Sequence, residues 1–420
     1  MCVDLFIGQE YTASMMIRKA YKFKLKPTDK QAGKLHDFAG HARFVWNKVL
    51  KWNLDRLSKK QALIWCHEAD YFTKLWKKSD EFGFLSELPA QCIQQKLKDL
   101  DKAFRNAFDK KQPLKRIPRT KKRNVDDSFR FPEPKQIQFD NRRIKLPKLG
   151  WIGFYKSQSI LGTIRNVTVS RKAGDWYIAV QVDLSPPETR NEASKALGID
   201  LGIKKFIARS DGKEVQSSPR SYRRFEKALS SAQRKLSKKL KFSHNWKKQQ
   251  QKIQRIHQKI AHCRRDFQHK LSTKLCKNHA MIVVEALKIS NMSRSARGTL
   301  ETPGKQVKSK SGLNKSILDQ GWGEFKRQLQ YKLNWLGGLY LEVSPAYTSQ
   351  KCSACGYTEK KNRQSQSIFC CQSCGFEENA DENAAKNILA AGHAVLACGE
   401  IGLPNSMKQE PLRTGNLVSV

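Results

Sequence analysis

The sequence predicts a multidomain α/β protein with a metal-bound ribbon set into its C-terminal part. Three observations predict it. From Thr28 to about Lys111, apolar residues recur at intervals of three and four, as along one face of a helix. Runs of β-formers separated by turn residues follow, and beyond residues 185–194 strands and helices intermingle. Two Cys-x-x-Cys pairs then stand fifteen residues apart.

"MIRKAYKFKLKPT" alternates and reads as a strand that stops at Pro27; the residues before Met15 and Met16 read as a loose extension. Leu35, Phe38, Ala42, Val45, Val49 and Trp52 share one helical face, and Ile93, Leu97, Leu100 and Phe104 share another. Trp46, Trp52, Trp65 and Trp76 are interleaved with basic residues, and most are expected to pack in a core. "KKQPLKRIPRTKKRN" (110–124) is a basic, proline-containing linker. "QIQFDNRRIKLPKLGWIGFY" and "IRNVTVSRKAGDWYIAVQVD" read as antiparallel hairpins, with turns at Asp140-Asn141 and Ala173-Gly174. "SPPETRNEAS" (185–194) marks a domain boundary.

"KALGIDLGIKKFIARSDGKEV" predicts a hairpin in a buried sheet. Two basic helices follow, marked by Phe225, Leu229, Ala232 and Leu236, and by Ile253, Ile256, Ile260, Cys263, Phe267 and Leu271; the break at "KFSHN" makes them an antiparallel pair. "HAMIVVEAL" is a short buried strand. "SKSGLNKSILDQGWGEFKRQLQYKLNWLGG" reads as a loop and then one helix, "LYLEVSPAYTS" as a strand, and "DENAAKNILAAGHAVLA" as a helix. The rest, from Gly399, reads as unstructured.

Charge narrows the partners. Lys and Arg number 80 against 38 Asp and Glu, a formal net charge of +42. Such a charge repels itself unless a polyanion compensates it, which points to nucleic acid. No run of about 18 apolar residues occurs, so no membrane span is expected. The N-terminal stretch lacks the basic and long apolar regions of a secretory signal.

Five of the eleven cysteines lie between Cys352 and Cys374, and an odd total does not suit a disulfide framework. A reducing, intracellular setting and a bound metal are expected. Cys352, Cys355, Cys371 and Cys374 offer the four thiolates that zinc prefers, with Cys370 as an alternative to Cys371. Four protein ligands leave no open position, so this zinc is structural. Gly356 and Gly375 each follow a second cysteine, where a tight turn can aim backbone N–H groups at sulfur.

The catalytic candidates are therefore carboxylates. Asp200 and Glu285 lie at the ends of apolar strands and Asp381 opens a helix, unusual places for acids in so basic a chain. Carboxylates of this kind can hold the Mg²⁺ pair of a two-metal phosphodiesterase. Each also has a plain structural role open to it: Asp200 as a turn residue, Glu285 as an arginine's partner, Asp381 as an N-cap.

"LGIDLGIKKF", "IVVEAL" and "ADENAAKNI" resemble the three acidic motifs of a RuvC-type nuclease. Their order, the cysteine ribbon between the second and third, "DQGWGEF", "SPAYTSQKCSACGY" and the early "ARFVWNKVL" are together similar to the TnpB/OrfB family of insertion-sequence proteins, relatives of type V CRISPR effectors. The resemblance runs from about Met16 to Ala391. It implies an RNase H-like (RuvC-type) nuclease core with an inserted zinc ribbon, preceded by a β-barrel wedge domain interrupted by a helical domain. It implies an RNA-guided DNA endonuclease that uses Asp200, Glu285 and Asp381 on Mg²⁺, and Cys352, Cys355, Cys371 and Cys374 on structural Zn²⁺. Target DNA and a guide RNA from the transposon end are the implied partners, with a companion transposase beside them, in the cytoplasm at the nucleoid. The expected layout is 1–15 extension, 16–27 with 115–190 wedge-like, 28–114 helical and recognition-like, 191–394 nuclease core with the ribbon at 346–377, and 395–420 tail. Two other functions fit the same acids and cysteines: a transposase that cuts and joins DNA itself, and an inactive zinc-ribbon binder of nucleic acid.

Overall fold

The computed structural model describes residues 16–125, 127–185, 195–213 and 217–398. The expected extension at 1–15, the boundary at 186–194 and the tail from 399 lie outside the described residues. The chain forms two compact units, Met1–Pro186 with Lys235–Arg255, and Pro187–Arg234 with Ile256–Val420. The expectation had placed 235–255 with the nuclease core.

In the first unit, β1 (Ile17–Lys26) alternates as its sequence demands and buries Tyr21, Phe23 and Leu25. Thr28 then starts α1 (Asp29–Ser58) with a capping box: its hydroxyl accepts from the Gln31 N–H, and the Gln31 side chain accepts from the Thr28 N–H. The apolar face of α1 packs with α2 (Cys66–Lys78) and α3 (Ala90–Phe108), and Trp46 and Trp76 are buried there. Six strands follow: β2 (Ser128–Phe131), β3 (Gln138–Asp140), β4 (Arg143–Leu146), β5 (Gly150–Phe154), β6 (Thr163–Lys172) and β7 (Asp175–Leu184). They join β1 in an antiparallel sheet of order β2-β6-β7-β1-β5-β4-β3. β1 pairs with β7 over Ile17–Lys24 and with β5 over its last two residues. The order has two ends, β2 and β3, and no ladder among the described residues joins them. Ala173 and Gly174 both adopt positive φ, 51° and 95°, which turns β6 into β7. β2 was not foreseen; Phe129 and Phe131 seat it in the core, and the Lys96 ammonium donates to the Ser128 carbonyl.

The second unit is built on four strands. β8 (Ala196–Leu201) and β9 (Ile207–Arg209) form the expected antiparallel hairpin. Two long basic helices, α4 (Ser221–Ser237) and α5 (His244–Asn278), of which residues 235–255 belong to the first unit, lead to β10 (Met281–Glu285). A short α6 (Ile289–Met292), α7 (Val307–Gln320) and α8 (Trp322–Trp335) lead to β11 (Leu339–Val343). The order is β11-β10-β8-β9, with β8, β10 and β11 parallel. The ribbon carries β12 (Ile368–Cys370) and β13 (Glu377–Asn379), and α9 (Ala380–Ala397) closes the described chain.

Two expectations are corrected here. The loop before "GWGEF" is the helix α7. Its Ser, Gly and Asn content reads as loop, but Ile317 is buried and the Asp319 carboxylate accepts from the Tyr222 N–H and from Arg264. Gly321, at φ 67°, separates α7 from α8. Residues 395–397, expected in the tail, belong to α9, which runs to Ala397.

Side-chain alternation divides the sheet into two faces. Leu197, Ile199, Leu201, Ile282 and Val284 pack against Leu275, Phe325, Leu329 and Leu333 of α5 and α8. The residues between them, Gly198, Asp200, Val283 and Glu285, belong to the other face, which α9 covers.

Candidate active site and metal centre

Asp200 is the penultimate residue of β8 and Glu285 the last of β10. The strands are parallel neighbours, and the Val284–Ile199 pair immediately precedes both acids. α9 brings the third. A Cβ added at Gly198 would stand 2.1 Å from the Ala385 carbonyl, and one at Gly392 would stand 2.4 Å from the Val283 side chain. These two glycines let α9 lie close on the sheet, with its first turn toward the ends of β8 and β10. Asp381 is in that first turn, but the N-cap is Asn379, whose side chain accepts from the Asp381 and Glu382 N–H groups.

Electrostatics tie the three together. Burial pushes the Asp200 carboxyl up to about 7, and the charges of Glu285 and Asp381 push the same way, against a smaller opposing pull from Arg363. Glu285 is also raised, chiefly by burial, while the Thr348 hydroxyl and the Lys326 charge act to lower it. The Thr348 hydroxyl donates to Glu285 Oε1 at 2.6 Å. Lys326 donates to the Glu285 carbonyl at 3.1 Å and to Glu342 Oε2 at 2.5 Å. Arg363 Nη2 lies 3.2 Å from Asp381 Oδ1. Arg363, Thr348 and Lys326 were missed in the sequence because nothing local marks them; each acts on an acid far along the chain.

The four cysteines converge. Their sulfurs all lie within 4.8 Å of one another, at 3.8 Å for Cys352–Cys374 and 3.6 Å for Cys355–Cys371. Tetrahedral zinc with bonds of about 2.3 Å places sulfurs about 3.8 Å apart, so the cluster fits zinc. The sulfur drawn into it is that of Cys371, not Cys370. The two knuckles repeat one geometry: Gly356 donates to the Cys352 carbonyl and Gly375 to the Cys371 carbonyl, both at 3.0 Å, and both glycines have positive φ. The Cys374 and Ser373 N–H groups act to lower the Cys371 thiol, which sits at about 7. Among the described residues, no other group of His, Cys, Asp and Glu gathers three or more ligand atoms so tightly. The carboxylates fit divalent ions by other criteria. They are hard oxygen donors, and the half-buried Asp200 is raised by burial and by the neighbouring charges of Glu285 and Asp381, charges that a divalent ion would offset.

Comparison with known proteins follows from these features. Residues 167–296 match a family model described as "Probable transposase", 322–388 one described as "Cas12f1-like, TNB domain", and 15–61 one described as "Helix-turn-helix domain". A protein of Escherichia coli (strain K12) with the name "Putative RNA-guided DNA endonuclease InsQ" is 47% identical over 397 residues, covering 94% of this chain and 97% of its own. The chain belongs to the TnpB/OrfB family. A Streptomyces pristinaespiralis relative with the name "Putative RNA-guided DNA endonuclease" is 32% identical over 94% of this chain and 97% of its own. The fold is shared with the protein of a Cas12f1–sgRNA–target DNA complex, at a TM-score of 0.52 and 15% identity, over 89% of this chain and 98% of that one. In this TnpB/OrfB chain the described part of 15–61 is not a helix-turn-helix: it forms β1 and the single helix α1.

Proposed function

We propose that the chain is an RNA-guided DNA endonuclease whose RNase H-like, RuvC-type centre is formed by Asp200, Glu285 and Asp381. One observation carries the reading: Asp200 and Glu285 stand at the ends of neighbouring parallel strands, on the face against which α9, with Asp381 in its first turn, is closely seated. The names of the two relatives support the activity and the partners, guide RNA and target DNA. The three carboxylates would hold Mg²⁺. Bound there, the ions supply Lewis-acid activation of the phosphodiester and of water. Arg363 orients Asp381, and Lys326 braces the end of β10. Cys352, Cys355, Cys371 and Cys374 hold a structural Zn²⁺ with no part in bond breaking.

Phosphate binding falls to the basic helices. Lys248, Lys252 and Arg255 are exposed along α5 at intervals of four and three, which makes one cationic stripe. In the layout proposed here, 28–114 is recognition-like, 16–27 with 115–190 wedge-like, and the zinc ribbon is set into the nuclease part.

The description "Probable transposase" favours a second reading, in which the chain itself cuts and joins DNA. The deciding experiment sequences the RNA that co-purifies with the protein from its native locus, then follows target DNA with and without that RNA. RNA-dependent cutting without joined products supports the endonuclease; joined products without RNA support the alternative.

A further inference from the structure

Thr348 stands in the turn between β11 and the first cysteine pair. Its hydroxyl donates to Glu285 Oε1 at 2.6 Å, with the Pro345 carbonyl farther off at 3.3 Å. Both Thr348 and Glu285 are buried. The Thr348 carbonyl accepts from Asn387 Nδ2 at 3.0 Å, and the same amide reaches the Lys351 carbonyl at 2.6 Å. One turn earlier on α9, Asn383 donates to the Lys351 carbonyl at 2.8 Å and accepts from the Ser353 N–H at 2.9 Å. Spacing of four residues puts both amides on one face of α9. Residues 348–353, which include Cys352, are thus clamped to the helix whose first turn carries Asp381.

The turn itself is held in an unfavourable shape. Tyr347, next to Thr348, has a φ of 62°, left-handed backbone that a bulky residue adopts only when its surroundings impose it. A donor on one oxygen of Glu285 fixes the plane of the carboxylate, and with it the direction in which the other oxygen is presented.

We propose that Thr348 is a positioning residue of the acid site: its hydroxyl orients Glu285 and couples that carboxylate, through Asn387 and Asn383, to the cysteine ribbon and to α9. This rests on the reading of Glu285 as a ligand of the divalent ion.

Thr348→Val keeps the shape of the side chain and removes the donor, while Thr348→Ser keeps the donor. Mn²⁺ binding to the RNA-loaded protein, single-turnover cleavage and zinc content are measured for wild type, both variants and Glu285→Ala. Partners behind a metal ligand typically account for about ten- to a hundredfold in affinity or activity. Thr348→Val is expected to weaken Mn²⁺ binding and slow cleavage by about that range with zinc still near one equivalent. Thr348→Ser is expected to restore both. Should valine lower the melting midpoint, Thr348→Ala takes its place with the same expectation. Wild-type Mn²⁺ affinity and rate in the valine or alanine variant, beside loss of both in Glu285→Ala, would overturn the positioning role alone. So would a serine variant as impaired as the valine one. Retention of Mn²⁺ binding and cleavage by Glu285→Ala would instead overturn the site reading on which the proposal depends.

Discussion

Gly198→Ala perturbs the acid site without touching an acid. Gly198 lies two residues before Asp200, on the face of β8 that α9 covers. The added Cβ would meet the Ala385 carbonyl at 2.1 Å and the Leu389 backbone N and Cβ at 2.8 Å, where ordinary contact begins at 3.4 Å. Two of these atoms are helix backbone, so no rotamer change relieves them. About 1.3 Å must come from movement of α9 away from β8, and overpacking of this kind costs about 1–3 kcal/mol of stability. Asp381 rides on the first turn of the same helix, so it moves relative to Asp200 by a similar amount. An error of about 1 Å at a reacting centre can cost about a hundredfold in rate. The assay is single-turnover cleavage of guide-matched DNA at saturating protein, with RNA binding and thermal melting measured on the same sample. The expected pattern is normal RNA binding, a modestly lower melting midpoint and a rate down by about two orders of magnitude. A folded variant that cuts at the wild-type rate would refute the claim that close seating of α9 sets the site.

Three other outcomes follow. Cys355→Ser and Cys374→Ser should each take bound zinc well below one equivalent by elemental analysis and slow cleavage, whereas Cys370→Ser should do neither. In the metal-free protein, Asp200 keeps its proton to about pH 7 in the fold but only to its ordinary 3.8 when unfolded, so stability should fall as pH rises from about 4 to about 7. The full shift is worth about 4 kcal/mol and partial solvent access leaves roughly half, so Asp200→Asn should unfold about 2 kcal/mol later at pH 8 and flatten the profile in denaturant titrations. Neutralising Lys248, Lys252 and Arg255 together should weaken RNA binding and reduce the slope of log affinity against log salt by about two to three, with the cleavage chemistry of bound complexes unchanged.

What the sequence displayed was local. The cysteine pairs were legible because a knuckle is made by four consecutive residues and a glycine. β1, the β6–β7 hairpin and the β8–β9 hairpin were legible because alternation and turn residues lie within twenty positions. Asp200 and Glu285 stood out because an acid that ends an apolar strand is costly unless something uses it. Cys370 and Cys371 are adjacent, and the spacing to Cys374 that favours Cys371 agrees with the cluster its sulfur joins. What was hidden depends on register and on distant partners. Thr348, Arg363, Asn383 and Asn387 look like ordinary polar residues until the ribbon folds against α9. α7 was hidden by its loop-like composition, and β2 by its shortness. The order of the seven-stranded sheet could not be read at all, because long connections carry no pattern.

Three carboxylates on two strands and one helix are proposed to form a single RNA-directed cutting centre. The most direct measurement reconstitutes the protein with its co-purified RNA and follows cleavage of matched and mismatched DNA by wild type and by Asp200→Ala, Glu285→Ala and Asp381→Ala. Matched DNA alone should be cut, that cutting should be lost in all three variants, and RNA binding should stay close to wild type in each. Cutting that ignores the guide, or that survives in Asp381→Ala, would contradict that proposal.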